Sequence, residues 1–478
     1  MRHTCAWAMA AAFLEVVHAQ TGGVPERLSK LIPDLMSRAT VPGLSIALVE
    51  EGKVAWVGSF GARNAKTGEK VDDRTVFQAA SLSKPVFAYA VLKLVDEGKL
   101  DLDTPLSKYL PGYVENDDRI GLITGRHVLT HRTGFPNWRP GGKPLTIHFT
   151  PGERFSYSGE GFVYLQRVVE KISGQPLDAF MRQAVFAPLQ MADSSYVWQE
   201  KYETMAATGH NGAGVPSKQF KPVEGGSPIN GGGGPAAAST LHTTARDYAR
   251  FVIAVMNGTG LRKETARQML SPQSQVDAGC SNCIGRPVTQ TSESISWGLG
   301  WGLEKAGSGQ SFWHWGDNGD FKAFVAGSVD SRRGVAIFTN SANGMMIVPD
   351  IVSAAMGDRQ PAFDWLHYER YDSPRMQLYQ SILETGIDEA LKQYKPLDEG
   401  PMNNLGYQLL AARKFKEAIR IFELNAAAFP KSANTWDSLA EAYSTGGKEL
   451  AIAYYRKSLE LDPDNSNATE MLRKLEAK

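Results

Sequence analysis

The chain has 478 residues, of which 42% are hydrophobic, so it can bury a large core and form more than one domain. Its 51 basic residues balance its 51 acidic residues, which leaves no net field to attract nucleic acid or anionic lipid. Beyond the N-terminal region, no stretch is long and apolar enough to span a bilayer. These features argue against a nucleic-acid partner and a membrane span, and they favour a soluble protein.

The N-terminus has the features of a targeting segment. Met1–His3 is followed by an apolar run from Cys5 to Leu14, and small residues near Ala19 suit cleavage by a signal peptidase. We therefore predict that residues 1–19 form a signal peptide and that the mature protein is periplasmic or secreted. Glu15 interrupts the apolar run, so an N-terminal amphipathic helix is the alternative.

Ser81 and Lys84 stand three residues apart at the start of a predicted helix. The segment from Pro85 to Gly98 has apolar residues at helical spacing and ends at a glycine, and proline is tolerated only in the first helical turn. The two side chains therefore share one helix face. An amine can take the serine proton only when it is neutral, so the pKa of Lys84 must fall below the ordinary value of about 10.4. The alternative is an N-cap serine beside a solvated lysine.

Two further segments place polar side chains in or beside glycine-rich turns. Tyr157 lies in the run Arg154–Gly161, just before an amphipathic helix predicted at Phe162–Ile172. His314 lies in the strand-like run Phe312–Gly319, which contains glycines at its end. These segments add a tyrosine and a histidine to the upstream serine and lysine.

Neither a metal nor an organic cofactor is predicted. His127 and His131 are four residues apart, but Thr133–Pro136 indicates a turn rather than a helix, so we predict structural, hydrogen-bonding histidines. The run Gly231–Gly234 lacks the Gly-Lys-Ser/Thr ending of a phosphate loop and predicts a flexible segment beside a cleft. The pair Cys280–Cys283 has no second Cys or His pair at zinc spacing, which predicts a small loop disulfide or two free thiols.

In order and spacing, these motifs resemble the serine β-lactamase and penicillin-binding superfamily. The resemblance is to its class C-like branch, which includes class C β-lactamases, secreted D-alanyl-D-alanine carboxypeptidases, D-aminopeptidases and family VIII esterases. It extends from about Pro25 to about Gly357. It implies an α/β (α+β) fold, in which helices flank a mainly antiparallel sheet, for a catalytic domain at residues 20–357. Other segments that carry it are the paired-strand pattern Leu44–Gly58, the stretch Val128–Pro136, and the run Gly233–Thr240 before a helix predicted at Thr244–Met256.

The resemblance implies a role for each motif residue. Ser81 would be the nucleophile, Lys84 its activator and Tyr157 the partner that relays protons. The backbone N–H groups of Ser81 and Asp317 would form the oxyanion hole, which stabilises the charge that develops on the substrate carbonyl. Acyl transfer would therefore depend on three side chains and two main-chain groups.

The substrate-contacting positions depart from the usual family pattern. His314, Trp315 and Gly316 stand where many relatives have Lys-Thr-Gly on the strand that lines the site, and a histidine titrates near pH 6.5 instead of holding a permanent charge. Gly159 replaces the asparagine of the family's Tyr-x-Asn motif, so the amide that bonds substrate and lysine is missing. Water, Glu160 or another group would fill that space, or substrate selectivity would differ. We therefore expect weak recognition of β-lactams.

The character of the sequence changes after about Gly357. Residues 358–374 mix aromatic, charged and proline residues without a clear period and predict a packed connector, and residues 375–478 show helical patterning. Their pattern is similar to the tetratricopeptide repeat, with Met376–Tyr394 as one degenerate helix pair. Such a domain would either dock a peptide or protein partner or only buttress the catalytic domain. The positions that recur at one interval are Ala418, Phe422 and Pro430, then Ala451, Tyr455 and Pro463.

The sequence thus predicts an exported serine hydrolase. An ester or amide would acylate Ser81, and hydrolysis of the acyl-enzyme would follow. Either Trp313 or Trp315 would face the cleft and suit short acyl esters or hydrophobic D-amino-acid derivatives, which favours esterase or D-amino-acid peptidase activity with weak β-lactamase activity at most. The alternative is a catalytically silent module that binds a peptidoglycan-like or peptide ligand while its repeats recruit a partner. Gly159 mildly favours that alternative.

Overall fold

The computed structural model describes residues 23–141, 143–229, 232–286, 289–306, 309–357, 359–394, 397–444 and 446–477. The predicted signal peptide lies outside these ranges. In chain order the strands are β1 (Gly43–Glu50), β2 (Lys53–Asn64), β3 (Glu69–Lys70), β4 (Phe77–Gln78), β5 (His242–Thr243), β6 (Ser274–Asp277), β7 (Thr291–Trp297), β8 (Gly302–Ala306), β9 (Gly309–Asp317), β10 (Lys322–Ser328) and β11 (Arg333–Thr339).

Within these ranges, nine strands form one sheet in the order β3-β2-β1-β11-β10-β9-β8-β7-β6, and β4 pairs separately with β5. Every adjacent pair in the large sheet is antiparallel. On β1, Leu44, Ile46 and Leu48 face one side of the sheet, whereas Ala47 and Val49 face the other. Successive strand residues point to opposite faces, so the apolar run of β1 shows that both faces are covered.

The helices predicted from periodicity are present. The helix after Ser81 is preceded by a short 3-10 turn, and no helix in the described ranges is long and apolar enough to cross a membrane. The helices are α1 (Val24–Ala39), α2 (Ser83–Asp96), α3 (Gly125–Leu129), α4 (Gly159–Ser173), α5 (Leu177–Met181), α6 (Tyr202–Met205), α7 (Ala245–Asn257), α8 (Lys263–Met269), α9 (Val348–Met356), α10 (Pro361–Leu366), α11 (Pro374–Thr385), α12 (Ile387–Gln393), α13 (Glu399–Ala411), α14 (Phe415–Ala428), α15 (Ala433–Tyr443), α16 (Lys448–Leu461) and α17 (Ser466–Glu476). The 3-10 turns are η1 (Ala80–Leu82), η2 (Leu106–Lys108), η3 (Asp118–Leu122) and η4 (Gly344–Met346), and a π-helical turn spans Arg182–Phe186.

Two helical layers cover the sheet. The first, called here the α2 layer, packs α2, α4 and α7 against one face through buried side chains such as Phe87, Phe162 and Phe251. The second, called the α1 layer, packs α1, α9 and α10 against the opposite face through Ile32, Ile351 and other buried side chains. The sheet is therefore the middle of three layers, as expected when apolar strand faces must be removed from water on both sides.

The C-terminal region consists of consecutive helix pairs. A Cβ atom at Gly406 would lie 2.5 Å from the ring of Phe422, so a larger residue there would displace that ring and loosen the packing of α13 on α14. Ala418, Ala451 and Tyr455, which occupy repeated positions in the sequence, are all fully buried. The helical patterning is thus confirmed, whereas the likeness to the tetratricopeptide repeat stays a prediction.

The first of these C-terminal helices pack onto the α1 layer. Gln408 on α13 donates a hydrogen bond from Nε2 to the carbonyl oxygen of Gly212 at 2.8 Å, and Gln380 on α11 donates one to the carbonyl oxygen of Arg38 at 3.1 Å. Leu405 belongs to the same buried cluster as the apolar side chains of α1. The helices α11 and α13 therefore pack on the α1 layer, on the side away from the sheet.

Candidate active site

Ser81 lies in η1, between β4 and α2. The residue before it, Ala80, has a φ of 49°, a left-handed conformation that residues with a side chain seldom adopt. The turn is fixed on its other side, because the N–H of Ala79 donates to the carbonyl oxygen of Leu241 at 2.8 Å. Ser81 thus lies at a sharp junction between a strand and a helix. The hydrogen bond from Ala79 to Leu241 holds that junction in place.

Lys84 is buried beside this hydroxyl. Its Nζ lies 3.0 Å from Ser81 Oγ and donates to the carbonyl oxygen of Ala238 at 2.8 Å, and it also lies 4.8 Å from the centre of the Tyr157 ring. No carboxylate pairs with Lys84 within the described part of the chain. Burial lowers the pKa of Lys84 to about 7, so much of the amine is neutral near pH 7. The solvated-lysine alternative is therefore wrong.

Tyr157 faces the same serine from the turn before α4. Its main-chain N–H donates to the carbonyl oxygen of Ser281 at 2.9 Å, and its ring stacks on His131 with 4.2 Å between ring centres. The Tyr157 hydroxyl is buried and has no hydrogen-bond partner of good geometry among the described residues. The neighbouring polar side chain that affects its pKa is Ser81. Burial raises the pKa of Tyr157 far above its ordinary value, only partly offset by Ser81, so the phenol stays neutral.

β9 passes directly beside η1 because one residue lacks a side chain. A Cβ atom at Gly316 would lie 2.3 Å from the carbonyl oxygen of Ala79, so any other residue would force the strand and the turn apart. The contact places Asp317, the next residue of β9, close to Ser81. Glycine at position 316 is therefore required by geometry, whatever its part in binding substrate.

The main-chain N–H of Asp317 points away from β10. Asn318 donates its N–H to the carbonyl oxygen of Phe321 at 3.1 Å, and Asp317 pairs with Lys322. Antiparallel pairs alternate between hydrogen-bonded and non-bonded types, so the Asp317–Lys322 pair is the non-bonded type. β8 begins level with Trp313 and extends away from Asp317, so no strand in the described part of the chain accepts the Asp317 N–H on its other side. The Asp317 N–H is therefore available to a ligand. The N–H of Ser81 is available too, because residues in the first turn of a helix have no intrahelical acceptor.

His314 does not behave as expected from the sequence. It is fully buried, and its Nδ1 donates to the carbonyl oxygen of Trp315 at 2.8 Å. Burial, together with the nearby charge of Lys84, lowers the pKa of His314 to about 3, not 6.5. Trp315 is only 8% exposed and its ring packs 4.8 Å from that of Tyr157, while Trp313 is fully buried. Trp313 is therefore a packing residue on the α1 side and does not wall the cleft, whereas Trp315 as the residue that walls it stays a prediction.

The space left by Gly159 is filled by a neighbouring loop. A Cβ atom there would lie 2.9 Å from both the carbonyl oxygen of Asn137 and the ring of Trp138. Glu160 is not the filling group, because it is fully buried and its carboxylate binds Arg139 through Nε at 2.8 Å and Nη2 at 2.7 Å. This buried ion pair fixes the loop, so the loop occupies the place of the missing amide.

A cavity of about 390 Å³ opens beside Asp317. Its aromatic walls are Trp138 and Phe220, and Gly233 and Gly234 line it as the predicted segment beside the cleft. Gly231, the first residue of that run, lies outside the described residues. Sequence reasoning missed both aromatic residues because they lie in segments without period, and the glycine-proline turn before Trp138 is the only signal nearby.

The remaining candidate residues have structural contacts. His131 accepts a hydrogen bond at Nδ1 from the N–H of Ser158 at 3.0 Å, and His127 donates one from Nδ1 to the carbonyl oxygen of Leu122 at 3.2 Å. The described residues contain no cluster of side chains suited to a metal ion. The pair Cys280–Cys283 forms a disulfide, which closes the loop that binds the tyrosine turn.

A family model described as Beta-lactamase matches residues 28–351, and the chain therefore belongs to the beta-lactamase family of serine hydrolases. It is 26% identical over 338 residues to penicillin-binding protein 4 of Amycolatopsis lactamdurans, covering 66% of this chain and 86% of that protein. It is 26% identical over 287 residues to the esterase EstB of Burkholderia gladioli, covering 50% of this chain and 72% of that protein.

Solved structures show the same fold. The D-alanine carboxypeptidase AmpC from Burkholderia cenocepacia superposes with a TM-score of 0.56 at 20% identity, covering 70% of this chain and 98% of that one. The octameric penicillin-binding protein homologue from Pyrococcus abyssi gives a TM-score of 0.54 at 22% identity, covering 76% and 82% of the two chains. The predicted family and the β-lactamase-like fold class are confirmed. The C-terminal helices after α9 lie outside the residues that the family model matches.

Proposed function

We propose that this protein is a hydrolase that forms an acyl-enzyme on Ser81 and cleaves small esters or amides. The observation that carries the proposal is the 3.0 Å contact between Lys84 Nζ and Ser81 Oγ, made by an amine whose pKa burial lowers to about 7. When the amine is protonated it donates in this contact. When it is neutral, the same contact lets the serine donate its proton to nitrogen, which activates the oxygen as a nucleophile.

The site supports a two-step reaction. In the first step, Ser81 Oγ attacks the substrate carbonyl carbon and its proton passes to Lys84. As the leaving oxygen or nitrogen departs, Tyr157 gives it the phenol proton and takes in exchange the proton held by Lys84. The N–H groups of Ser81 and Asp317 bind the oxyanion. In the second step, water attacks the acyl carbonyl, its proton goes to the same lysine and tyrosine pair, and the acid leaves as Ser81 recovers its proton. Because Tyr157 is neutral throughout, it exchanges one proton for another and does not act as a phenolate.

The aromatic walls of the cavity beside Asp317 suit uncharged or hydrophobic acyl groups. Trp138 and Phe220 provide aromatic walls, and His314 carries no charge with which to bind a substrate carboxylate. We therefore propose esterase or hydrophobic D-amino-acid peptidase activity, with β-lactamase activity weak at most. The similarity to a protein named esterase and to one named penicillin-binding protein supports this range of substrates.

Two accessory proposals concern location and the C-terminal helices. Export rests on the apolar segment at residues 1–19, and the disulfide between Cys280 and Cys283 supports an oxidising compartment. The packing of α11 and α13 on the α1 layer supports a buttress role for the first helices of the C-terminal region. A docking surface for a partner would then lie on the later helices, α15 to α17.

Covalent labelling tests the proposal. Intact mass spectrometry after brief exposure to a fluorophosphonate should show one adduct, which peptide mapping places on Ser81 and which Ser81→Ala abolishes. Lys84→Ala should be labelled much more slowly, because the serine then lacks its proton acceptor. An unlabelled wild-type protein that still binds a D-amino-acid peptide would contradict the proposal and support the catalytically silent module instead.

A further inference from the structure

A tyrosine from the connector reaches the strand that carries the candidate oxyanion donor. Tyr368 follows α10, beyond the residues that the family model matches, and its Oη donates to Asp317 Oδ2 at 2.8 Å. Burial raises the pKa of Tyr368 far above its ordinary value, so it stays a hydrogen-bond donor. The chain after the matched segment thus contacts the same residue whose N–H faces the cleft.

The Asp317 carboxylate needs hydrogen-bond partners, because its negative charge opposes the role proposed for the main-chain N–H of the same residue. Its main-chain N–H suits a developing negative charge, whereas its carboxylate is itself negative and lies only a few bonds away. At so short a distance, an uncompensated carboxylate would oppose the charge that the N–H stabilises. The carboxylate is compensated by Lys322 Nζ, Tyr368 Oη and the N–H of Gly319. These contacts also fix the side chain and, through it, the tilt of the peptide group.

The position of Tyr368 is itself fixed from both sides. Next to it, Arg370 binds Asp350 of α9 at 2.6 Å, and Glu369 binds Arg375 of α11 at 2.6 Å. Arg375 in turn donates to Gln408 of α13. The connector is therefore held between the α1 layer and the first C-terminal helices.

The α10 helix supplies a further anchor. Trp365 donates from Nε1 to the carbonyl oxygen of Asp277 at 2.7 Å, and its ring lies 6.2 Å from that of Trp315, two residues before Asp317. The connector thus packs on the same segment of β9 that Tyr368 binds.

We propose that Tyr368 is a positioning residue for the reaction at Ser81. Its hydrogen bond to the Asp317 carboxylate orients the Asp317 N–H toward the oxyanion and turns the carboxylate charge away from it. The inference rests on the proposed function, since it needs an oxyanion to form beside Ser81. It makes the connector, and not only residues 28–351, part of the catalytic unit.

A double-mutant cycle on the full-length protein tests this role. With a nitrophenyl acetate as substrate and active sites counted by fluorophosphonate titration, Tyr368→Phe should lower kcat about 5- to 20-fold and change KM less than about twofold. In the Asp317→Ala background, which keeps the main-chain N–H but removes both the carboxylate charge and the acceptor of the Tyr368 hydrogen bond, the same change should alter kcat less than about twofold. Tyr443→Phe is the matched control, because its Oη also donates to a carboxylate, Glu423 Oε1 at 3.0 Å, but within the C-terminal helices, so it should leave kcat unchanged.

Each outcome separates the inference from the proposed function. An equal loss of kcat in both backgrounds would show that Tyr368 only packs, and no loss in the single variant would show that it does not contribute; either result overturns the inference. Turnover and labelling that survive Ser81→Ala would instead overturn the proposed function, whatever Tyr368→Phe does. Counting active sites by titration keeps the comparison valid if any variant folds incompletely.

Discussion

The two layers that cover the sheet contribute to the site in different ways. The α2 layer supplies Ser81 and Lys84 from one short, continuous segment, with the amine buried among the layer's own apolar side chains. The α1 layer supplies the packing behind Tyr157 and Asp317, and it draws this packing from distant parts of the chain, including Trp365. The proposed reactive pair is thus a local feature of the sequence, whereas the groups proposed to orient the substrate depend on long-range packing. The following predictions test that division.

The largest effect is expected inside the α2 layer, at the nucleophile. Ser81→Ala should lower turnover of any substrate by at least roughly 10³-fold while the protein stays folded, because each acyl transfer passes through this oxygen. Ser83→Ala provides the contrast. Its buried Oγ donates to the carbonyl oxygen of Ala80 at 2.6 Å and accepts from the N–H of Leu241 at 3.0 Å.

Removing the Ser83 hydroxyl should therefore cost about 1–3 kcal/mol of stability and leave the turnover of folded enzyme within a few-fold of wild type. Steady-state kinetics and thermal unfolding of the two variants measure both quantities. Near-wild-type turnover in Ser81→Ala would contradict the assignment of the nucleophile.

The next largest effect is expected in the pH dependence of kcat/KM. It distinguishes Lys84, which the α2 layer buries, from Tyr157, which packs on the α1 layer. Because the pKa of Lys84 is lowered to about 7, the amine is protonated below that pH and cannot accept the serine proton. The value of kcat/KM should therefore rise with pH through about 7 and be roughly 10²-fold lower at pH 5 than at pH 8. His314 and His131 stay neutral over this range, since burial lowers the pKa of each.

A pH profile of each variant checks the assignment. Tyr157→Phe should lower the rate but keep the acid limb, because the phenol does not ionise in this range. Lys84→Ala should lose the limb together with most of the activity. A limb that persists in Lys84→Ala would assign the titration to another group.

The kcat/KM values of two substrate classes should differ about as much as the values at pH 5 and pH 8. We expect kcat/KM for penicillin G or a cephalosporin to be at least roughly 10²-fold below that for a short-chain nitrophenyl ester, because the amide is absent at Gly159 and the imidazole of His314 is neutral. Gly159→Asn should not restore β-lactam hydrolysis, since Asn137 and Trp138 already occupy the space. Steady-state kinetics on both substrate classes decides this, and a β-lactam value equal to the ester value would refute it.

The smallest effect on activity is expected from ending the chain before the connector, which removes Tyr368 and should lower kcat about 5- to 20-fold. A protein that ends after Asp372 keeps the buried Trp365, whereas one that ends after Gly357 loses it and exposes Trp297, Trp313 and neighbouring rings. Loss of a buried tryptophan side chain costs about 3–5 kcal/mol, so the shorter protein should unfold at a lower temperature. Calorimetry on both forms measures the difference. Equal midpoints would show that the connector is not part of this core, and the predicted boundary at Gly357 would then stand.

The sequence predicts features that depend on local spacing and misses those that depend on burial. Ser81 and Lys84 share a helix face because of a three-residue spacing, and Asp317 follows from its place in a strand motif. The pKa of His314 could not be predicted, because it is set by side chains distant in sequence that exclude water. The same holds for Tyr368, whose partner lies 51 residues earlier in the chain. The loop beside Gly159 has no period from which its position could be inferred.

The contact between Gly316 and Ala79 also determines how steady the site is in time. It joins main-chain atoms of a strand to main-chain atoms of a turn, and such atoms have no rotamers to exchange. Spacing between side chains fluctuates as rotamers interconvert on picosecond to nanosecond timescales, whereas spacing set by main-chain contact changes only when whole elements move. The N–H groups of Ser81 and Asp317 therefore keep their separation through side-chain motion, and the proposed oxyanion would need little reorganisation to bind them.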